Sequence, residues 1–256
     1  MPELPTWLAA SLWGVLSASG LVAGALAATF GRFSHRTIAL VTAFGSGVLV
    51  ALLALELLAG AVEQGGLGPA VGGVLGGAAL FCGVNWWLSQ RGAHDRKRCG
   101  DCVQQPSEAD MSGSGLAIAA GTVIDGIPEA LVLGLSVAAG QSPGVALVAG
   151  FFLGNIPEGL ASTSGLRQAK RPARYVYLLW AGVVALAGAA AVAGQVLAGT
   201  LSSGAVAVVT AVSSGGLLAM LVETMIPEAF AEAPHFVGLV TAAGFLAAVA
   251  LIHLGR

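Results

Sequence analysis

Charge is what this 256-residue sequence has least of. Lys, Arg, Asp and Glu make up 9 % of it, against about a quarter in an ordinary soluble domain. That excludes a solvated surface over most of the chain. The 11 basic and 13 acidic residues nearly cancel, and no nucleic-acid partner is expected. Cysteine is scarce as well, with three residues, so a disulfide framework is excluded; Cys82, inside an apolar run, reads as a packing residue. No basic segment precedes the first apolar run after Pro2-Glu-Leu-Pro5, so a retained first span is expected rather than a cleaved signal peptide.

What fills the chain instead is hydrocarbon: 56 % of residues are hydrophobic, in runs longer than any soluble strand or helix requires. The reading is an all-α, polytopic membrane helix bundle, one transmembrane domain over residues 1–256 whose partner is the lipid bilayer. Eight spans are placed at about 7–30, 38–62, 67–89, 113–139, 145–166, 175–199, 205–230 and 235–254, each near the roughly 20 residues a bilayer demands. Glycine numbers 38, and pairs such as Gly72 with Gly76 and Gly73 with Gly77 have the small-xxx-small spacing of closely packed membrane helices.

The few basic residues are placed unevenly. Ten of the eleven fall in the loops after spans one, three and five (Arg32, Arg36; Arg91, Arg96, Lys97, Arg98; Arg167, Lys170, Arg171, Arg174), which the positive-inside rule makes cytoplasmic. Both termini then lie outside. Trp86 and Trp87, with Tyr175, Tyr177 and Trp180, are expected to form an aromatic belt on the inner side. The cytoplasmic loop over about 90–112 carries His94-Asp95 and Cys99-Gly-Asp-Cys102. Such ligands can hold zinc when they converge, but a single C-x-x-C without a second pair is a weak signal, and a solvated, basic loop is the favoured reading.

Against this background the acids inside the spans stand out. Asp125-Gly-Ile-Pro-Glu129 lies in span four, Gly154-Asn-Ile-Pro-Glu158 in span five and Thr224-Met-Ile-Pro-Glu228 in span seven. An ionisable residue at mid-membrane costs about 2.5 to 3.5 kcal/mol, so three Ile-Pro-Glu phrases call for compensation, and a cation is the simplest form of it. Asp125 and Glu129 are spaced i, i+4 and share a helical face. Asn155, Glu158 and Ser162 share another, at i, i+3 and i+7. Pro128 and Pro157 lack an N–H, which frees the carbonyls of Ile124 and Leu153. Together these residues make an oxygen-rich set suited to a divalent cation. Carboxylates this close cannot all ionise in a low dielectric unless cations balance them, so a metal arriving would displace protons. Glu56 in span two, with Glu223 and Glu228 in span seven, are further metal candidates. Pro227 would have to kink span seven for Glu223 and Glu228 to face one way. Spans two and seven align weakly on Glu56 and Glu223, and spans four and five align on Ile-Pro-Glu. That pattern suggests inverted repeats in a 3+2+3 arrangement, a transporter plan with the site near the midplane.

These motifs resemble the Zrt/Irt-like (ZIP) divalent metal transporters over nearly the whole chain. The family's His-Asn-x-Pro-Glu-Gly falls on Asp125-Gly126-Ile127-Pro128-Glu129-Ala130. Its span-five counterpart falls on Gly154-Asn155-Ile156-Pro157-Glu158-Gly159, with the acidic position four residues on at Ser162. Glu223 to Glu228 is similar to the family's span-seven Glu-x-x-x-Pro-Glu. The resemblance implies a non-enzymatic carrier that moves zinc or a related divalent ion into the cytoplasm by an elevator-like or rocking change of access, as a multi-pass protein of the cell membrane. Both family histidines are replaced here, by Asp125 and Gly154. The remaining carboxylate, amide and carbonyl oxygens suit manganese, magnesium or ferrous iron better than zinc, and the loss leaves one metal position or two open. The metal is the transported substrate, no organic cofactor is expected, and a homodimer is compatible with the sequence. Two rivals use the same acids: a proton-coupled carrier of a small organic solute without metal, and, more weakly, a membrane-embedded hydrolase.

Overall fold

Proline and serine fix where several helices begin. Pro5 and Pro172, both in extended backbone, stand directly before spans one (Thr6–Phe30) and six (Ala173–Thr200). Each presets the backbone of a first turn whose N–H groups need no helical partner. Ser34 and Ser202 cap spans two and seven, accepting hydrogen bonds from the Thr37 and Ala205 N–H groups at 3.1 and 3.3 Å.

The computed structural model describes residues 4–31, 33–90, 114–138, 144–168 and 170–254. His94, Asp95, Cys99 and Cys102 lie outside these. The described residues form an all-α bundle with no strand among them. Among the described residues seven helices are long and apolar enough to cross a membrane, including span two (His35–Gly65), span three (Leu67–Leu88), span seven (Ser203–Glu232) and span eight (Val237–Leu254). Span four, Ser114–Ala138, matches them with 25 residues, and span five is Val145–Gln168. The eight helices agree with the sequence reading to within a few residues.

The halves repeat each other. Spans two and seven are each built from an 18-residue α-helix, a π-helical turn (Leu53–Leu58 and Leu221–Met225) and a final 7-residue helix. Glu56 sits in the first π-turn and Glu223 in the second. Packing follows the same exchange: span one lies on five as six lies on four, and three lies on seven as eight lies on two. This is the expected 3+2+3 arrangement, with spans four and five as the middle pair.

That middle pair is not a packed pair, however. Spans four and five touch each other little, because glycines draw each to a different neighbour. A Cβ at Gly20 or Gly24 of span one would strike the carbonyls of Phe152 or Ile156 on span five, and one at Gly134 of span four would strike Ala191 of span six. Backbone runs against backbone at these places, which only glycine permits. The main core gathers Leu49 and Leu52 of span two, Leu133 of span four, Phe151 of span five and Leu217 and Leu221 of span seven.

The aromatic belt is only partly realised. Trp86 and Trp87 are exposed, and Tyr175 stacks against the Arg171 guanidinium at 5.6 Å. Trp180 is instead fully buried, donating its indole N–H to Thr163 Oγ1 at 2.8 Å, so it ties span six to span five rather than anchoring at the interface.

Candidate metal centre

Span four turns two faces to two different neighbours. Gly134 and the backbone of Leu131 press on span six and Val132 and Leu133 join the main core, while Asp125 and Glu129 are buried, Glu129 in a cleft among spans one, five and six. Asp125 is 2 % exposed and Glu129 3 %. Pro128 lies between them in a helix that runs on unbroken, so Ile124 keeps its carbonyl without a proline N–H to receive.

Span five is organised alike. Gly150, Gly154 and Pro157 receive Leu52, Leu49 and Gly45 of span two, and Gly159 receives span one. Between those packed faces runs a buried stripe of Asn155, Glu158 and Ser162, as the spacing predicts. The two helices converge where Asn155 donates to Glu129 Oε2 at 3.0 Å. The same amide nitrogen donates to the carbonyl of Ser17 in span one at 3.3 Å. Two acceptors on one side fix the orientation of the amide and use both its N–H bonds, which turns Oδ1 into a fixed acceptor. Ser162 Oγ is buried and has no hydrogen-bond partner among the described residues. Leaving such a hydroxyl unmatched costs about 1 to 3 kcal/mol unless something else satisfies it.

Gly154, which the resemblance sets on a histidine, has no room for a donor side chain. A Cβ at Gly154 would lie 2.7 Å from Leu49 Cγ, because the leucine occupies that space. Gly126, by contrast, has nothing within 4 Å of its would-be Cβ. Among the described residues no three His, Cys, Asp or Glu side chains stand together at metal-ligand spacing. Any cation held here would therefore draw on Glu129 together with the amide, hydroxyl and carbonyl oxygens, not on a cluster of acids alone.

The outlying candidates go elsewhere. Glu223 is exposed and accepts a hydrogen bond from Asn85 Nδ2 of span three at 2.7 Å, with the Cys82 thiol against the same carboxylate. Glu228 is buried beside Ala229, which packs on Ala39 and Ala43 of span two. Glu223 and Glu228 would have needed a kink at Pro227 to face one way; a π-turn, Leu221–Met225, precedes that proline, and Glu223 is exposed where Glu228 is buried. Glu56 is half-buried in the matching turn. Asn85 and Ser17 had not been singled out. Asn85 carried a signal, an amide three residues after Cys82 in an apolar run, whereas Ser17 acts through its backbone and carried none.

Glu129 and Asn155 line a narrow cleft with Ser17, Gly126 and Leu186, with free space of ≈ 10 Å³, about enough for one water. Compared with known proteins, the chain matches no family model and no characterised protein.

Proposed function

We propose that this chain is a Zrt/Irt-like divalent metal transporter of the cell membrane, multi-pass with both termini outside, which carries cations into the cytoplasm. The observation that carries the reading is the Asn155 to Glu129 hydrogen bond. It joins spans four and five, which otherwise barely meet, at the one level where both bury carboxylates. Glu129 supplies charge, Asn155 Oδ1 a preset neutral oxygen, and the carbonyls freed by Pro128 and Pro157 further oxygens; Asp125, Glu158 and Ser162 complete the buried set. Such donors favour hard cations, manganese or ferrous iron before zinc.

The test is uptake into reconstituted vesicles. Asp125→Ala, Glu129→Ala and Glu158→Ala should each lower metal uptake by more than about tenfold, the range seen even for outer partners of metal sites. Uptake untouched by all three would refute the reading. The absence of a three-acid cluster among the described residues favours the rival, a proton-coupled carrier in which the same acids relay protons. Equilibrium dialysis separates the two, because bound metal that is lost on mutating Glu129 and Glu158 belongs to a metal site and not to a pure proton relay.

A further inference from the structure

Behind the candidate metal centre, spans three, four and seven leave a cavity of ≈ 290 Å³. Its walls are Phe81 and Val84 from span three, Ile124, Pro128 and Leu131 from span four, and Gly216 from span seven, with the Ser213 hydroxyl as the one side-chain polar group. Water would find almost nothing to bond there. A water takes about 30 Å³ and needs two to four polar partners, so a space this large and this apolar is not a water site.

Where the cavity opens identifies the occupant. Its rim includes Leu80 and Ile127, 64 % and 37 % exposed, which belong to the outer surface of a bundle of membrane-length helices. The opening is thus continuous with the face that the bilayer covers, and the solvent at that face is lipid hydrocarbon. Among the described residues the lining holds no helix end, charged group or loop, and an alkyl tail is what matches these walls. We infer that the cavity between spans three, four and seven is a lateral binding site for one acyl chain of a membrane lipid, which lies against Pro128 on the far side of span four from the hydrogen bond between Glu129 and Asn155.

The site makes physical sense in this fold. Span four is held to six by Gly134 and Gly194, but it has sparse contact with span three, and Pro128 stands off Gly216 by 3.9 Å from a would-be Cβ. Each methylene that enters removes apolar surface from an otherwise empty space at about 0.8 kcal/mol relative to water, but lipid already shelters the tail, so the gain is in contact with the walls and binding should be exchangeable rather than tight.

Photo-crosslinking in vesicles tests this directly and does not depend on what the protein transports. The probe is a phosphatidylethanolamine with a diazirine near the end of one acyl chain, read by peptide mass spectrometry. Adducts on the cavity residues Phe81 and Leu131 should form at a rate comparable to those on lipid-facing Leu75. Gly216→Val points a side chain into the cavity where a Cβ has no neighbour nearer than 3.9 Å. It should reduce the Phe81 and Leu131 adducts by about fivefold, equivalent to losing about five to ten carbon contacts with the walls, and leave Leu75 unchanged. Should that variant fail to fold, Gly216→Ala is read in its place, with about a twofold loss expected. Wild-type protein labelled at Leu75 but not at Phe81 or Leu131, or cavity adducts undiminished in a folded Gly216 variant, would overturn the inference.

Discussion

Ser162 separates two roles that a single side chain seldom shows apart. Its buried hydroxyl meets no hydrogen-bond partner among the described residues, so it opposes folding. On the proposed function, the same oxygen, on the stripe with Asn155 and Glu158, would serve a cation. Ser162→Ala should therefore raise the thermal stability of metal-free protein, by up to about 1 to 3 kcal/mol, while weakening metal binding. Differential scanning fluorimetry without metal and dialysis with it would check the two signs; a variant less stable and equally metal-competent would assign Ser162 to packing. Arg167 makes a contrasting contribution outside the centre. It donates to the carbonyls of Ala28 and Thr29 at the last turn of span one, where helix carbonyls have no internal partner. Its positive charge there also meets the negative end of the helix dipole. Arg167→Ala should lower the melting stability by about 1.5 to 3 kcal/mol, as expected for hydrogen bonds from a charged donor.

At the scale of the helix, glycine decides which pairs meet, and the sequence showed glycines without showing which of them matter. Gly72 and Gly76 have the spacing of a packing motif, yet nothing lies within 4 Å of a Cβ added at either. The neighbours Gly73 and Gly77 press on span seven instead, against Ala211 and Val212. Spacing fixes a face but not its partner. Hence Gly72→Ala should be neutral or stabilising by up to about 1 kcal/mol through helix propensity. Gly24→Ala drives a methyl into the Ile156 carbonyl and should cost about 1 to 3 kcal/mol, which also spreads the helix that carries Asn155 and Glu158. Thermal unfolding of the two variants in one detergent is the measurement. The same limit explains what was and was not legible. Span existence, the repeat and the buried stripes on spans four and five follow from periodicity and Pro-Glu spacing. The π-turns at Glu56 and Glu223 do not, because a one-residue widening of a helix leaves no compositional mark, and neither does the hydrogen bond that Glu223 accepts from Asn85. Trp180 was misread for a similar reason, since only its bond to Thr163 distinguishes a buried indole from an interfacial one.

The molecule as a whole divides across its repeat, each packing group drawing helices from both halves. Spans one, four, five and six pack mainly on one another, and spans two, three, seven and eight do likewise; the donor set lies in the first group, where span five meets spans four and one, and Gly154 and Pro157 of the same helix pack on span two along the seam between the groups. Passage of a cation from one side to the other requires the two groups to rearrange at such a seam, in keeping with the usual logic of inverted repeats about a midplane site. The seam between spans five and two is tight at several points, among them the one where a Cβ at residue 154 would come 2.7 Å from Leu49 Cγ. Cysteines at 49 and 154 are therefore close enough for a disulfide. In a background with Cys82, Cys99 and Cys102 replaced by serine, Leu49→Cys combined with Gly154→Cys should oxidise readily and fix the seam. If transport moves the groups past each other, metal uptake should fall by at least about tenfold on oxidation and return with a reductant, while equilibrium metal binding stays within about twofold, because binding needs only one of the two arrangements. Uptake indifferent to a fully formed disulfide would place the moving boundary elsewhere, and binding lost along with uptake would mean that the cross-link distorts the centre itself.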